Sequence, residues 1–305
     1  MVKPTIENTI GAAFLGVLGS AILLGAIVVQ VFTYYTHFKN DWKLQKCFVA
    51  WLTLASVLHL AFASNSVYFY VITSFGNFGA LEYVVWTFKA QAVLDVATVL
   101  TVQGLYAWRV QTLGKHFSSL WPWVVIGIIV IGSVFGIMLV VSTCQTERWD
   151  TVQGFHWVLS ASFAFATFID FLIATTLCYY LKRSRSIFTE TNNRLLRVMH
   201  YVLASGFLTS ACSLGALISI STLPKTLVFV GIDFLLPRLY MLSYMTMLNA
   251  RRASAEIDSS AFNVSGALQH FRSGQNSTWA DPTERKPTDT MGTEILSDQV
   301  NGNLL

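Results

Sequence analysis

Apolar residues gather into seven long runs, at about residues 10–32, 47–72, 83–108, 121–143, 155–181, 198–222 and 226–248, with short polar stretches between them. A helix needs about 20 apolar residues to cross the hydrocarbon core of a bilayer, and each run meets that length. Inside lipid every backbone N–H and C=O must find a partner within its own segment, which a helix provides. The pattern therefore predicts an all-α membrane protein with seven transmembrane helices, filling residues 1–253. The last two runs meet at Leu223-Pro224-Lys225. Pro224 has no N–H and crowds the turn before it, so these are two helices and not one. The first run is longer than the roughly 7–15 residues of a signal-peptide core. With Lys3 balanced by Glu7, it reads as a permanent span.

Composition agrees and removes other classes. Of the 305 residues, 54% are hydrophobic and 12% are charged, about half the charge of an ordinary soluble domain. That excludes a water-soluble globule, a disordered chain and a nucleic-acid binder built on a basic patch. The four cysteines are too scattered for a disulfide scaffold. Residues 250–305 hold twelve of the charged side chains, so this segment is about twice as dense in charge as the rest. From Ser254 onward it is rich in Ser, Thr, Asn, Asp and Gly and too poor in apolar surface to build a core. The expectation for 254–305 is a disordered cytoplasmic tail.

Basic residues in short loops favour the cytoplasm. One side carries Lys39, Lys43, Lys46, Arg109, Lys115, Lys182, Arg183, Arg185, Arg194, Arg197, Arg251 and Arg252; the other carries Lys3, Arg148 and Lys225. This asymmetry predicts an outside N-terminus and a cytoplasmic C-terminus. Interfacial aromatics fit it, with Tyr34, Trp42, Trp108 and Trp121 at the inner level and Tyr70, Tyr83, Trp86 and Trp149 at the outer. The sequons at Asn263 and Asn276 would then never meet the glycosylation machinery. The expected home is the plasma membrane or another membrane of the secretory pathway, with the lipid bilayer as the first partner.

Between helices in lipid, small residues allow close approach. Ala12, Gly16 and Ser20 recur every fourth position on the first span, and Ala211, Gly215 and Ser219 do so on the sixth. Gly132 and Gly136 make a GxxxG on the fourth. Such stripes serve packing within one bundle; on the fourth span the same spacing also offers a homodimer seam.

An ionisable group within the membrane is costly and needs a partner or water. Five occur in the runs, Lys89, Asp95, Asp170, Asp233 and Arg238, joined by His59. Counted from the interfaces, His59, Asp95, Asp170 and Arg238 fall near mid-depth, and Lys89 and Asp233 in the outer third. The expected pairs are Arg238 with Asp95 or Asp170, and Lys89 with Asp233. Gln91, Asp95 and Thr98 share one face of the third span and should look inward. Pro237 should kink the seventh span and free a carbonyl near Asp233. These six side chains have three readings: ion pairs that fix helix register, the lining of a ligand cavity, or a relay for protons or ions.

No catalytic constellation is expected. His59, His156 and His200 lie at different depths and cannot converge on one metal ion. A retinal Schiff base would need a lysine on the last span, where Arg238 stands. A nucleophile elbow and phosphate-binding Gly-rich loops are absent. The third span ends Tyr106-Ala107-Trp108-Arg109 and the seventh holds Leu236-Pro237-Arg238-Leu239-Tyr240, neither of which is a signature of the main class of G-protein-coupled receptors. No cofactor, metal or enzymatic activity is expected.

The chain resembles one family. The quoted residues are Asn8-Thr9-Ile10-Gly11-Ala12-Ala13-Phe14-Leu15-Gly16, Ser74-Phe75-Gly76-Asn77, and above all the stretch from Ala166 to Ala253. That stretch holds Asp170, Leu177-Cys178-Tyr179-Tyr180-Leu181, Gly206-Phe207-Leu208-Thr209-Ser210, Arg238-Leu239-Tyr240 and Leu248-Asn249-Ala250-Arg251-Arg252. In these it is similar to the seven-span membrane proteins of mushroom-forming fungi whose C-terminal part is domain of unknown function 6534. The resemblance implies membrane location and no particular chemistry.

The cytoplasmic loop from Lys182 to Arg197 should sit on anionic lipid, at about 1 kcal/mol per basic residue, with a docked signalling partner as the sharper reading. The function expected is that of a receptor or sensor with a polar cavity opening outward near Lys89, Asp95 and Asp233. The alternatives are a transporter or ion- and proton-conducting protein, and a structural organiser of the membrane.

Overall fold

The computed structural model describes residues 7–75, 79, 83–115, 120–149, 154, 156–185, 192–223 and 226–250; for residues 7, 8, 156, 181, 184, 185 and 192–205 it describes backbone only. The chain divides into two units, Met1–Glu256 and Ile257–Leu305. Every described residue lies in the first, and the expectations for the tail 254–305 and its sequons fall outside them.

Among the described residues the regular structure is helical, apart from one β-bridge between Tyr83 and Arg148. The helices are α1 (Ala12–His37, entered through one π-turn, Glu7–Gly11), α2 (Lys43–Tyr68, ending in a π-turn, Phe69–Thr73), α3 (Trp86–Gly114), α4 (Trp121–Gln145), α5 (His156–Arg185), α6 (Asn192–Thr222) and α7 (Val228–Ala250). Six are long and apolar enough to cross a membrane; on α6 the described apolar stretch is the shorter Gly206–Thr222. The basic stretch after α5 is less of a loop than the sequence suggests. Lys182, Arg183 and Arg185 extend α5, and Arg194 and Arg197 lie in the first turns of α6.

Side-chain contacts fix the direction of each helix. Gln30 Nε2 donates to Thr246 Oγ1 at 3.1 Å, and Gly16 lies against Gly231, so α1 and α7 run the same way. Ser56 and His59 meet Met241 and Arg238 in reverse order, so α2 opposes α7. Asp95 faces Asp233 and Tyr106 Oη bonds Ser243 Oγ at 2.7 Å, so α3 runs with α7; Lys89 meets Cys144 and Val96 meets Gly136, so α4 opposes α3; Gly132 meets Ile169 and Phe135 meets Ser162, so α5 opposes α4 and runs with α7. The end where α1 begins is called the upper end below.

Helix α7 is the axis of the bundle: 67% of its most apolar window is buried, against 11% for α4 at the rim. The small-residue stripe of α1 makes this possible. A Cβ on Gly16 would lie 2.5 Å from the Gly231 carbonyl oxygen, and one on Gly231 would lie 2.5 Å from that of Ala12. The two backbones touch where only glycine fits. On α6 the buried face is Thr209, Ser213, Ala216, Ser219 and Ile220, and a Cβ on Gly215 would stand 4.0 Å from Ile232 Cδ1 of α7; of the stripe Ala211–Gly215–Ser219 only Ala211 is exposed.

Gly132 and Gly136 pack within the bundle. A Cβ on Gly132 would collide with Ile169 Cδ1 of α5, and one on Gly136 would stand 3.3 Å from Val96 Cγ1 of α3. This is the close approach inside one bundle for which such spacing serves. Gly127, on the same helix, meets nothing within 4 Å.

The apolar core falls into two clusters. One, with Ala13, Ala63, Val67, Val230 and Phe234, fills the upper end between α1, α2 and α7. The larger gathers Tyr34, Leu52, Val102, Leu177, Met241, Met245 and Leu248 below it. The polar side chains of the next section lie between and beside them.

Candidate functional site

The seventh helix breaks where Pro237 requires it. Helix Val228–Asp233 stops, Phe234 and Leu235 form a turn, and the helix resumes. Pro237 has no N–H to offer the carbonyl of Asp233, four residues back. Leu235 N–H reaches only to Ile232 O, at 3.0 Å, a tighter turn. The Phe234 carbonyl accepts instead from side chains, Ser20 Oγ of α1 and Arg238 Nη1, the latter at 3.4 Å.

Arg238 is fully buried and, among the described residues, hydrogen-bonds no carboxylate, although Asp95 is near enough to act on its charge. Its Nη1 is in short contact with His59 Nδ1, and its Nη2 donates to the Ser56 carbonyl at 3.0 Å. Its Nε is buried without a partner. For His59 Nδ1 to accept, the ring proton must sit on Nε2. The expected pair with Asp95 is thus an attraction without a hydrogen bond, and the guanidinium's direct contact is a cation–imidazole one between α7 and α2, closed by the Phe234 ring edge-on to His59 at 6.3 Å.

Lys89 also departs from expectation. Its Nζ donates to the Cys144 carbonyl at 3.0 Å, near the C-terminal end of α4, where the helix dipole favours a cation. It does not reach Asp233. That carboxyl stands level with Asp95 and faces it across the α3–α7 seam. The two carboxyls share a hydrogen bond, while Asp95 Oδ1 is buried and has no partner among the described residues. The inward stripe on α3 holds, with Gln91 2% and Thr98 1% exposed.

Asp170 is held by neutral donors. Tyr240 Oη donates at 2.6 Å, and the side chains of Thr209 and Gln103 are within hydrogen-bond reach of the carboxyl. Tyr240 also interacts with Ser213 of α6. One turn below, Tyr106 and Ser243 bond each other.

Three cavities connect these groups. The upper one has an empty volume of about 650 Å³, mouth included, with aromatic walls from Phe88, Trp149, Phe163 and Phe229 and with Asp95 and Asp233 in its lining. The middle one, about 590 Å³, shares Asp95, Asp233, Val96, Leu139 and Phe163 with it and continues to Gln103, Ser213 and Tyr240. Gly132 and Gly136 line this cavity too, and their missing side chains leave it open. The lower one, about 310 Å³, shares Tyr240 and adds Asp170, Thr209, Tyr106 and Ser243. Arg238, His59 and Lys89 line none of the three.

The upper mouth is pinned shut on one side. Val84 N–H donates to the Glu147 carbonyl at 2.9 Å. Tyr70 Oη donates to the Tyr83 carbonyl at 2.8 Å and accepts from Val85 N–H at 3.1 Å and Trp149 Nε1 at 3.3 Å. Trp149 lies against Phe88 with ring centroids 4.9 Å apart. Among the described residues no three His, Cys, Asp or Glu side chains converge.

Residues 166–253 match the model of a family of unknown function, DUF6534. No curated protein and no solved structure matches the chain. The DUF6534 segment contains Asp170, Thr209, Ser213, Asp233, Arg238 and Tyr240. It does not contain Asp95, Gln103, His59 or Trp149, which come from earlier helices and complete the site. Sequence reasoning singled out Asp95, Asp170 and Asp233 but missed Gln103, Tyr240 and Trp149. Gln103 was within reach, since it follows Asp95 by eight residues and so extends the same helix face. Trp149 had no such signal, because the fold of a connecting segment brings it over the mouth.

Proposed function

We propose that the chain is a seven-span integral membrane protein that binds a small molecule in its upper cavity, in the manner of a receptor or sensor. The single observation behind this is the cavity itself: an aromatic wall around two carboxyls, at one end of the bundle, with no cation among the described residues that line it. Ligand sites have this composition, mostly apolar with a few convergent polar groups. Seven helices of alternating direction put the two ends of the bundle's chain on opposite faces. The basic side chains near the lower end favour the cytoplasm for that face, which supports a cavity opening to the outside. The organiser reading has less support, because two of the charged groups, Asp95 and Asp233, line a cavity and are not sealed in a dry core. No enzymatic step is assigned.

A library of small molecules screened by thermal shift on the purified protein tests this reading. Stabilisation by some compounds, lost in Asp233→Asn and kept in Gly127→Ala, is the expected result. No stabilising compound, or one indifferent to Asp233→Asn, would remove the cavity from the proposal.

One observation favours a second reading, proton conduction. The cavities share lining residues from Asp95 and Asp233 through Tyr240 to Asp170, and hydroxyls join the steps. A pH-sensitive dye in liposomes holding the protein decides: acidification under an imposed gradient, abolished by Asp170→Asn, would establish it.

A further inference from the structure

We propose that the upper cavity takes an organic monocation, a protonated or quaternary amine carried on an apolar body; this rests on the small-molecule reading above. The charge count of the site is the first argument. Asp95 and Asp233 face each other and both line the cavity. The nearest cation, Arg238, acts on Asp95 through its charge, but its Nη donors go to His59, Ser56 and Phe234. Lys89 is engaged by the Cys144 carbonyl. Two carboxyls hydrogen-bonded to each other hold one proton between them, and an ammonium that displaces this proton restores the second negative charge and is matched by it.

The second argument is an oxygen that none of the described residues satisfies. Asp95 Oδ1 is fully buried, partnerless, and belongs to a side chain lining the cavity. Burying a carboxylate oxygen without a donor costs free energy, so the site gains most from an occupant that supplies one. An ammonium N–H does so.

The third argument is the wall. Phe88, Trp149, Phe163 and Phe229 line the same space, and Trp149 lies across from Phe88 at the mouth. Aromatic faces attract cations as well as apolar groups, tryptophan most strongly. An acidic floor under an aromatic wall distinguishes an organic cation from a hydrated metal ion, which gains nothing from the wall, and from an anion, which the floor repels.

Three probes of one size separate the outcomes: phenethylamine as the cation, phenethyl alcohol as the neutral form and 3-phenylpropionate as the anion. They are titrated into the full chain in nanodiscs, followed by tryptophan fluorescence and by melting temperature. Phenethylamine should bind at least about tenfold more tightly than the other two, the worth of a charge-assisted hydrogen bond. Asp95→Asn and Asp233→Asn should each weaken it by about tenfold or more, and Trp149→Ala by about two- to fivefold. Trp149→Phe should remove most of the fluorescence response. If Asp95→Asn does not fold, Asp233→Asn and the probe ranking on the unaltered protein carry the test. Equal or tighter binding of the alcohol or the propionate overturns the inference and leaves the small-molecule reading standing. Binding of none of the three overturns both.

Discussion

At Arg238 the guanidinium meets a neutral imidazole and two backbone carbonyls, in a setting where a lone charge is expensive. His59 is the only side chain that hydrogen-bonds it among the described residues. His59→Phe should therefore lower the melting temperature of the purified protein, by a stability loss of about 1.5–3 kcal/mol. Removing the charge as well, in His59→Phe with Arg238→Met, should recover part of that loss, because two apolar side chains leave no buried group unpaired. A double-mutant cycle measures the coupling, and strict additivity would refute the contact. At Asp170 the prediction has the opposite sign. Asn at 170 still accepts from Tyr240, and its amide removes an uncompensated charge, so Asp170→Asn should be neutral or stabilising. Tyr240→Phe should cost about 1–3 kcal/mol by stripping a donor from a buried carboxyl. The order of the two melting temperatures checks this.

Between helices, the decisive contact is the glycine crossing of α1 and α7. Gly231→Ala places a methyl within 2.5 Å of the Ala12 carbonyl oxygen, and backbone cannot swing aside as a side chain can. We expect a loss of about 1–3 kcal/mol or more. Gly127→Ala, with open space around it, should be harmless. Equal melting of the two variants would mean that the crossing is looser than described. The helices were legible in the sequence because a span must satisfy its own backbone, and the length needed for that is written in the apolar runs. The partners of the charged side chains were not. Counting residues gives depth, and depth did place Arg238 near Asp95. Azimuth depends on an unbroken helix, and the turn at Phe234 and Leu235 resets the angular phase of everything after it. That is why Arg238 meets α2 and not a carboxylate on α3 or α5. For Lys89 the competing acceptor was a backbone carbonyl at a helix end, Cys144 O, which no residue type announces.

Across the whole molecule, the two ends differ in ways that can be labelled. Cys144 lies at the upper end and Cys47 at the lower, and both are exposed. An impermeant maleimide added to intact cells should modify Cys144 and spare Cys47; the reverse pattern would invert the proposed orientation. Gly132 and Gly136 make a prediction about assembly. Bulk at either position, as in Gly132→Leu, should collapse the yield of folded protein, since the side chain would enter the α4–α5 seam. A variant that folds well and merely dissociates an oligomer would show that these glycines face outward after all.

The central place of α7 has a consequence for how the protein is made. It emerges from the ribosome after α1 to α6, yet Ser20, Gln30, His59, Tyr106 and Asp170 all find hydrogen-bond partners on it. Until it arrives, those groups on the earlier helices face lipid or one another. Newly made chains should therefore linger with the insertion machinery until the last helix docks, and a chain truncated before Val228 should be a substrate for membrane quality control.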